Sequence, residues 1–349
     1  MDFLAALGLF AAKVLLVVMG VGFIVALIGS AARRGGPAPG DVKLTHLSAL
    51  WRRTARRMNG QLLTPRAAKR VTQKARAEEK AALKRQDERP RVFVLTFDGN
   101  VRASQTRLLR EEVKAILEIS RPGDEVVVRL HSPGGFVHAY GFAANQLERI
   151  KERGLKLTAA VDQVAASGGY MMAVVADHIV AAPFAMIGSI GVVAGIPNFS
   201  RWLKKHDVDY ELHTAGPFKR SLTVLGENTE EGRRRFKDEL EVAHGLFKRF
   251  VAKHRPKLDL ERVATGQHWY GAEAVELGLI DALKTSDDYL LERRDTAEVW
   301  AVQYTPRRRP FDRAVTVLAE GLGRAAEAGV AGGLVRGVEQ ARESLSTPR

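Results

Sequence analysis

The sequence predicts an α/β domain built on parallel strands, carried behind a single membrane-spanning helix. Three observations lead there. From Arg91 onward, short β-prone runs alternate with helix-compatible runs, the rhythm of parallel strands joined by crossover helices. Glycine-rich turns follow the strands directly, where α/β sheets place their active sites. Ahead of both, Val14 to Ala32 runs for 19 residues without a charge. At ~1.5 Å per helical residue such a run covers ~28 Å, close to the ~30 Å hydrocarbon thickness of a bilayer.

The apolar run begins at Phe3 and is broken only by Lys13, so residues 3–32 are the expected contact with the lipid bilayer. A secretory signal peptide needs a basic start, whereas the first twelve residues hold Asp2 and no positive side chain. Arg33 and Arg34 follow the run at once. The positive-inside rule then puts the body on the cytoplasmic face of a cell inner membrane. Basic residues just after a span also suit anionic headgroups.

The net charge of +14 is local. Between Asp41 and Arg91 there are 15 Lys and Arg against 5 Asp and Glu, which leaves the rest of the chain near neutral. That distribution argues against a nucleic-acid-binding body. The chain holds no cysteine, which removes disulfides, thiol nucleophiles and cysteine zinc sites. The expected organisation is a transmembrane segment at 1–34, a basic and partly helical connector at 35–90, an α/β body at 91–295 and a basic tail at 296–349. Asp41 to Asn59 and Pro65 to Asp87 read as exposed helix or loose tether, being rich in helix formers with few core residues.

Within the body, Val92 to Phe97 is the first strand. Gln105 to Ile119 sets Leu108, Leu109, Val113, Ile116 and Leu117 at helical spacing. Glu125 to Leu130 is a strand, Val137 to Arg153 a helix, Leu157 to Val164 a strand and His178 to Ala182 another. Asn228 to Phe250 and Leu258 to Leu277 read as mostly helical. Val299 to Tyr304 fits one more strand, and Ala314 to Leu345 a weak helix broken by glycines.

Three turns carry chemistry. His131-Ser132-Pro133-Gly134-Gly135 follows the second strand, Ala165-Ala166-Ser167-Gly168-Gly169-Tyr170 the third, and Ile187-Gly188-Ser189-Ile190-Gly191 the fourth. Paired glycines permit positive φ and close backbone approach, which lets amides point into a site. A serine between small residues at a strand-to-helix turn suits a nucleophile, because the next amide faces the oxyanion that attack creates. It equally suits a helix cap. None of the turns is a phosphate loop, and HExxH, EF-hand and acidic-cluster patterns are missing from the sequence, so no metal and no cofactor are expected.

Together and in this order, SPGG, AASGGY and GSIGVV resemble the serine proteases of the signal peptide peptidase A type, in particular their single-span members. Leu212 to Arg220 (LHTAGPFKR), Leu225 to Gly232 and Ala264 to Gly271 (ATGQHWYG) match as well, and the likeness covers roughly Arg91 to Leu290. The resemblance implies a ClpP/crotonase-like fold, a repeated β-β-α superhelix, and a Ser/Lys dyad. The matching nucleophile is Ser167 and the matching base is Lys219, 52 residues on. It further implies that Ser189 orients the lysine, that the Gly135 and Gly168 N–H groups form the oxyanion hole, and that the chain assembles as a homo-oligomer acting on polypeptides. The pairing is chemically coherent. A serine hydroxyl needs a base, and a lysine, protonated in water at a pKa of ~10.4, becomes one when burial disfavours its charge. The histidines of the body compete for the same role; His213, six residues before Lys219, is placed to line a site. A crotonase-type acyl-CoA enzyme and an inactive membrane scaffold are the rival readings.

Overall fold

The computed structural model describes residues 40–85, 89–216 and 219–306. The chain divides into two units, of which Val42–Tyr304 holds almost all of the described residues. The apolar run at 14–32 and the tail beyond Pro306 lie outside the described residues. Among those described, no helix is long and apolar enough to cross a membrane.

The chain enters through β1 (Asp41–His46), α1 (Leu47–Leu62) and α2 (Pro65–Arg85). The first half of the body follows as β2 (Arg91–Asp98), α3 (Thr106–Ile119), β3 (Glu125–His131), α4 (Val137–Glu152), β4 (Lys156–Val161) and β5 (Val164–Ala166). Then come α5 (Gly168–Ala173), β6 (His178–Ala181), β7 (Met186–Gly188), α6 (Ser200–Lys205) and α7 (Glu230–His254). The body closes with α8 (Leu260–Val263), β8 (His268–Tyr270), α9 (Gly271–Glu276), β9 (Ala282–Leu283), α10 (Ser286–Thr296) and β10 (Glu298–Thr305).

Seven strands form one sheet in the order β1-β10-β2-β3-β4-β6-β9, and β5-β7-β8 form a second. From β10 to β9 every pairing of the large sheet is parallel. Its inner strands are buried on both faces and therefore read as near-continuous apolar runs: Val92, Phe93, Val94 and Leu95 in β2, and Val126, Val127 and Val128 in β3, are all buried. Helix α3 packs Leu109, Val113 and Ile116, spaced four and three apart, into the same core.

The sequence reading differs from this fold in three places. The expected strand Leu157 to Val164 breaks at Asp162-Gln163 and changes sheets. The Asp162 carboxylate there accepts from the Ser286 amide at 2.7 Å and the Ser286 hydroxyl at 2.6 Å, so β5 leaves the large sheet and pairs with β7. The stretch 258–277 is two short helices around β8, whose Trp269 lies opposite Ile187 in an antiparallel pair; Gly266, at φ +88°, ends the helical path. Finally, the start of the connector is not a tether. Ser48 is buried and its hydroxyl accepts the Val299 amide at 3.0 Å. Glu298, also buried, bonds His46 at 2.7 Å, Arg52 at 3.3 Å and Arg89 at 2.8 Å.

A buried carboxylate shared by two arginines and a histidine makes the connector part of the body's stability. Replacing Glu298 by alanine is expected to cost about 2–4 kcal/mol, through the lost charge-assisted bonds and the stranded cations. Urea unfolding measures it, and a loss below ~1 kcal/mol, the range of an exposed pair, would make Glu298 incidental.

Candidate active site

The two sheets meet where β3 ends. The Ser132 amide donates to the Val164 carbonyl at 2.8 Å, and the Ala166 amide donates to the Ser132 carbonyl at 3.0 Å. These bonds lay the SPGG turn against the AASGGY turn. The Ser167 amide donates to the Gly188 carbonyl at 2.7 Å, which brings the third turn alongside. Three stretches distant in sequence are thus held by backbone bonds around one serine.

Ser167 sits at φ +51°, ψ −119°, before α5, and its side chain makes no capping bond. Positive φ in a non-glycine residue costs of order 1–3 kcal/mol and persists only where the surroundings enforce it. The reading of Ser167 as a helix cap is therefore corrected: the twisted backbone leaves its hydroxyl unbound by the helix. The residue is half-buried and lines a cavity of about 630 Å³ with Gly134, Gly135, Ser189, His244 and Gly266. Val101, Phe136, Val137, Val192 and Val193 give that cavity apolar walls.

Ser189, also at positive φ (+51°), donates its hydroxyl to the Gly266 carbonyl at 3.3 Å, while its amide donates to the Gln267 carbonyl at 2.8 Å. The Gly135 and Gly168 N–H groups have no hydrogen-bond acceptor among the described residues. Four of the five residues singled out by sequence are thus gathered: Ser167, Ser189 and Gly135 line the cavity, and Gly168 adjoins Ser167. Lys219 is not with them. It is exposed, does not line the cavity, and its amide donates to the Gly216 carbonyl at 3.3 Å. Pro217 and Phe218, before it, lie outside the described residues. His213 is exposed too, beside Glu211 at 3.2 Å, and does not line this cavity.

Two features of the site were not legible in the sequence. The first is His244 on α7, which reaches the cavity with Nε2 3.2 Å from the Ile190 carbonyl; it is the one histidine among the cavity's described lining residues. The second is a buried relay beneath the SPGG turn. The Gly134 amide donates to Ser132 Oγ at 3.1 Å, Ser132 Oγ lies 2.5 Å from the Tyr140 hydroxyl, and that hydroxyl donates to the Asn100 carbonyl at 2.8 Å. With Tyr140 committed as donor to Asn100, Ser132 donates to Tyr140 and accepts from Gly134. Tyr140 is fully buried, and burial, the larger effect, pushes its hydroxyl pKa up against the bond to Ser132, so the relay stays neutral.

A carboxylate fixes the floor behind α5. Burial alone would raise the Asp281 carboxyl, but hydrogen bonds from Arg255 at 2.7 and 2.8 Å and from the Ile179 amide at 2.7 Å hold it below the ordinary range. The neighbouring Leu279 carbonyl accepts the hydroxyl of the buried Tyr170 at 2.9 Å. The Gly-Leu-Ile-Asp segment so ties β6 and α5 together beneath the serine.

Comparison with known proteins gives the class that this chain belongs to, a peptidase. A model described as peptidase family S49 matches residues 149–300, and one described as its N-terminal region matches residues 2–147. A protein of Haemophilus influenzae named "Probable protease SohB" is 48% identical over 318 residues, covering 87% of this chain and 89% of that protein. Relatives of the same name from Buchnera aphidicola are 51% identical over 223 residues, covering 64% of this chain and 66% of the relative, and 54% identical over 204 residues, covering 58% and 67%. The chain belongs to peptidase family S49.

Proposed function

We propose that the chain is a membrane-anchored serine endopeptidase with Ser167 as nucleophile and Lys219 as general base, its body a ClpP/crotonase-like superhelix. One observation carries the reading: a serine twisted to positive φ, with an uncapped hydroxyl, beside two amides that have no acceptor among the described residues. In this scheme Ser167 Oγ attacks the scissile carbonyl as a neutral lysine amine takes its proton, and the Gly135 and Gly168 amides stabilise the oxyanion. The protonated lysine then hands the proton to the leaving amine, and water hydrolyses the acyl-enzyme by the reverse route. Ser189 orients the amine.

Lys219 is exposed in the single chain, and a lysine in water is a cation. The scheme therefore needs Lys219 to be covered beside the serine, and a homo-oligomer supplies the cover. Residues 3–32 anchor the chain in the cell inner membrane, with the body on the cytoplasmic side by the positive-inside rule. Polypeptides that are membrane-associated or unfolded, cleaved signal peptides among them, match the apolar walls of the cavity.

A fluorophosphonate probe tests the nucleophile directly in the full chain in detergent. Labelling of the wild type, none of Ser167→Ala and strongly reduced labelling of Lys219→Ala are the expected results. Equal labelling of the wild type and Ser167→Ala would sink the assignment.

A further inference from the structure

Residues 42–77 contain ten Lys and Arg and not one Asp or Glu. The structure sorts this segment into two faces. The inner face of α1 is committed to the body: Ser48 is buried, and Leu47 and Trp51 pack against the core cluster around Val299. Further along α1, Met58 and Leu62, 56% and 77% exposed, continue the apolar stripe of Leu47 and Trp51, while Leu50, 50% exposed, and the exposed Arg53 and Arg57 flank it. Helix α2 lies against α1; its Ala67, Ala68, Thr72 and Ala75 are half-buried, and its Arg66, Lys69, Arg70 and Lys74 are exposed. An apolar stripe bordered by cations along a helix is the pattern of a helix lying in a bilayer interface.

We infer that α1 and α2 form a docking surface for the anionic headgroups of a lipid bilayer. Charge complementarity favours that occupant, and so does chain length. Eight residues, 33–40, separate the apolar run from β1; at ~3.6 Å each when fully extended they reach ~29 Å at most. On the proposed reading of 14–32 as a membrane span, the start of β1, six residues ahead of α1, is held within that distance of the headgroups. Each basic residue near such a surface strengthens binding about fivefold, so the exposed cations of the two helices act together. The staple of His46, Arg52 and Arg89 on Glu298 transmits the docking to the body and fixes which side of the body faces the bilayer.

Hydrogen exchange on the full chain in lipid nanodiscs tests this. In discs rich in phosphatidylglycerol, amides of 47–77 are expected to exchange at least ~5-fold more slowly than in phosphatidylcholine discs, an effect removed by about 0.5 M salt. The quadruple variant Arg53→Glu, Arg57→Glu, Lys69→Glu, Lys74→Glu is expected to abolish the lipid dependence while exchange in β2 to β4 stays unchanged, which shows an intact fold. Equal exchange in the two lipids overturns the inference, as does a lipid effect that survives the charge reversals. Protection of 47–77 by a short single-stranded oligonucleotide but not by phosphatidylglycerol would overturn it in favour of nucleic acid. Carbonate washing of cell membranes tests the span separately: release of the chain counts against the anchor and leaves the lipid-charge comparison standing.

Discussion

Replacing Ser167 or Lys219 by alanine is expected to lower kcat/KM for a fluorogenic peptide by at least ~10⁴-fold each, and replacing both to lower it no further. Groups that act as one unit are non-additive: once the base is gone the nucleophile is no longer activated, and a base without a nucleophile has nothing to deprotonate. Both substitutions are structurally mild. Ser167 makes no side-chain capping bond and Lys219 is exposed, so melting temperatures should stay close to wild type. Losses that multiply in the double variant would mean that the two residues act in separate steps. Near-normal activity of Lys219→Ala, together with an inactive His244→Ala, would move the base to His244, which already lines the cavity.

What the sequence carried and what it hid divide along contact distance. The alternation of strands and helices from Arg91 was readable because each element declares itself through local periodicity, and β2, α3 and β3 fall within a residue or two of the expected bounds. The break in the third strand was hidden because its cause, Ser286, lies 124 residues from Asp162. The docking of the connector was hidden for the same reason, since Glu298 is 252 residues from His46. At the site, motifs marked the turns while their geometry set the roles. No local pattern distinguishes a serine that caps a helix from one turned away from it, and φ +51° at Ser167 does. Nor does any local pattern pick His244 from the other histidines, because its place depends on how α7 crosses the Ile190 turn.

The proposed oxyanion hole is harder to probe, since only proline removes a backbone N–H and its fixed φ would disturb the turn as well, but the packing around Gly135 offers a route. A Cβ there would lie 2.1 Å from the Val101 carbonyl oxygen and 2.6 Å from its carbonyl carbon. Those are backbone atoms, so the conflict cannot be relieved by a rotamer change. The same carbonyl accepts the Phe136 amide at 2.9 Å, the bond that closes the SPGG turn over the cavity. Gly135→Ala must therefore move the turn and, with it, the residue 135 amide. The expected result is a fall in kcat of ~10²–10³-fold with a smaller change in KM, the signature of a lost oxyanion donor. Gly134→Ala should be at least as damaging, because Gly134 holds φ +92° and a Cβ there meets Ser167 Cβ at 2.7 Å and the Gly168 amide nitrogen at 2.8 Å. Gly141→Ala is the control. It lies within α4 with nothing within 4 Å of an added Cβ, so it should leave kcat unchanged and stabilise the fold by about 0.5–1 kcal/mol. If Gly135→Ala keeps its rate within ~3-fold while the turn visibly shifts, transition-state charge is not held at this amide, and Gly168 would be left as the sole backbone donor beside Ser167.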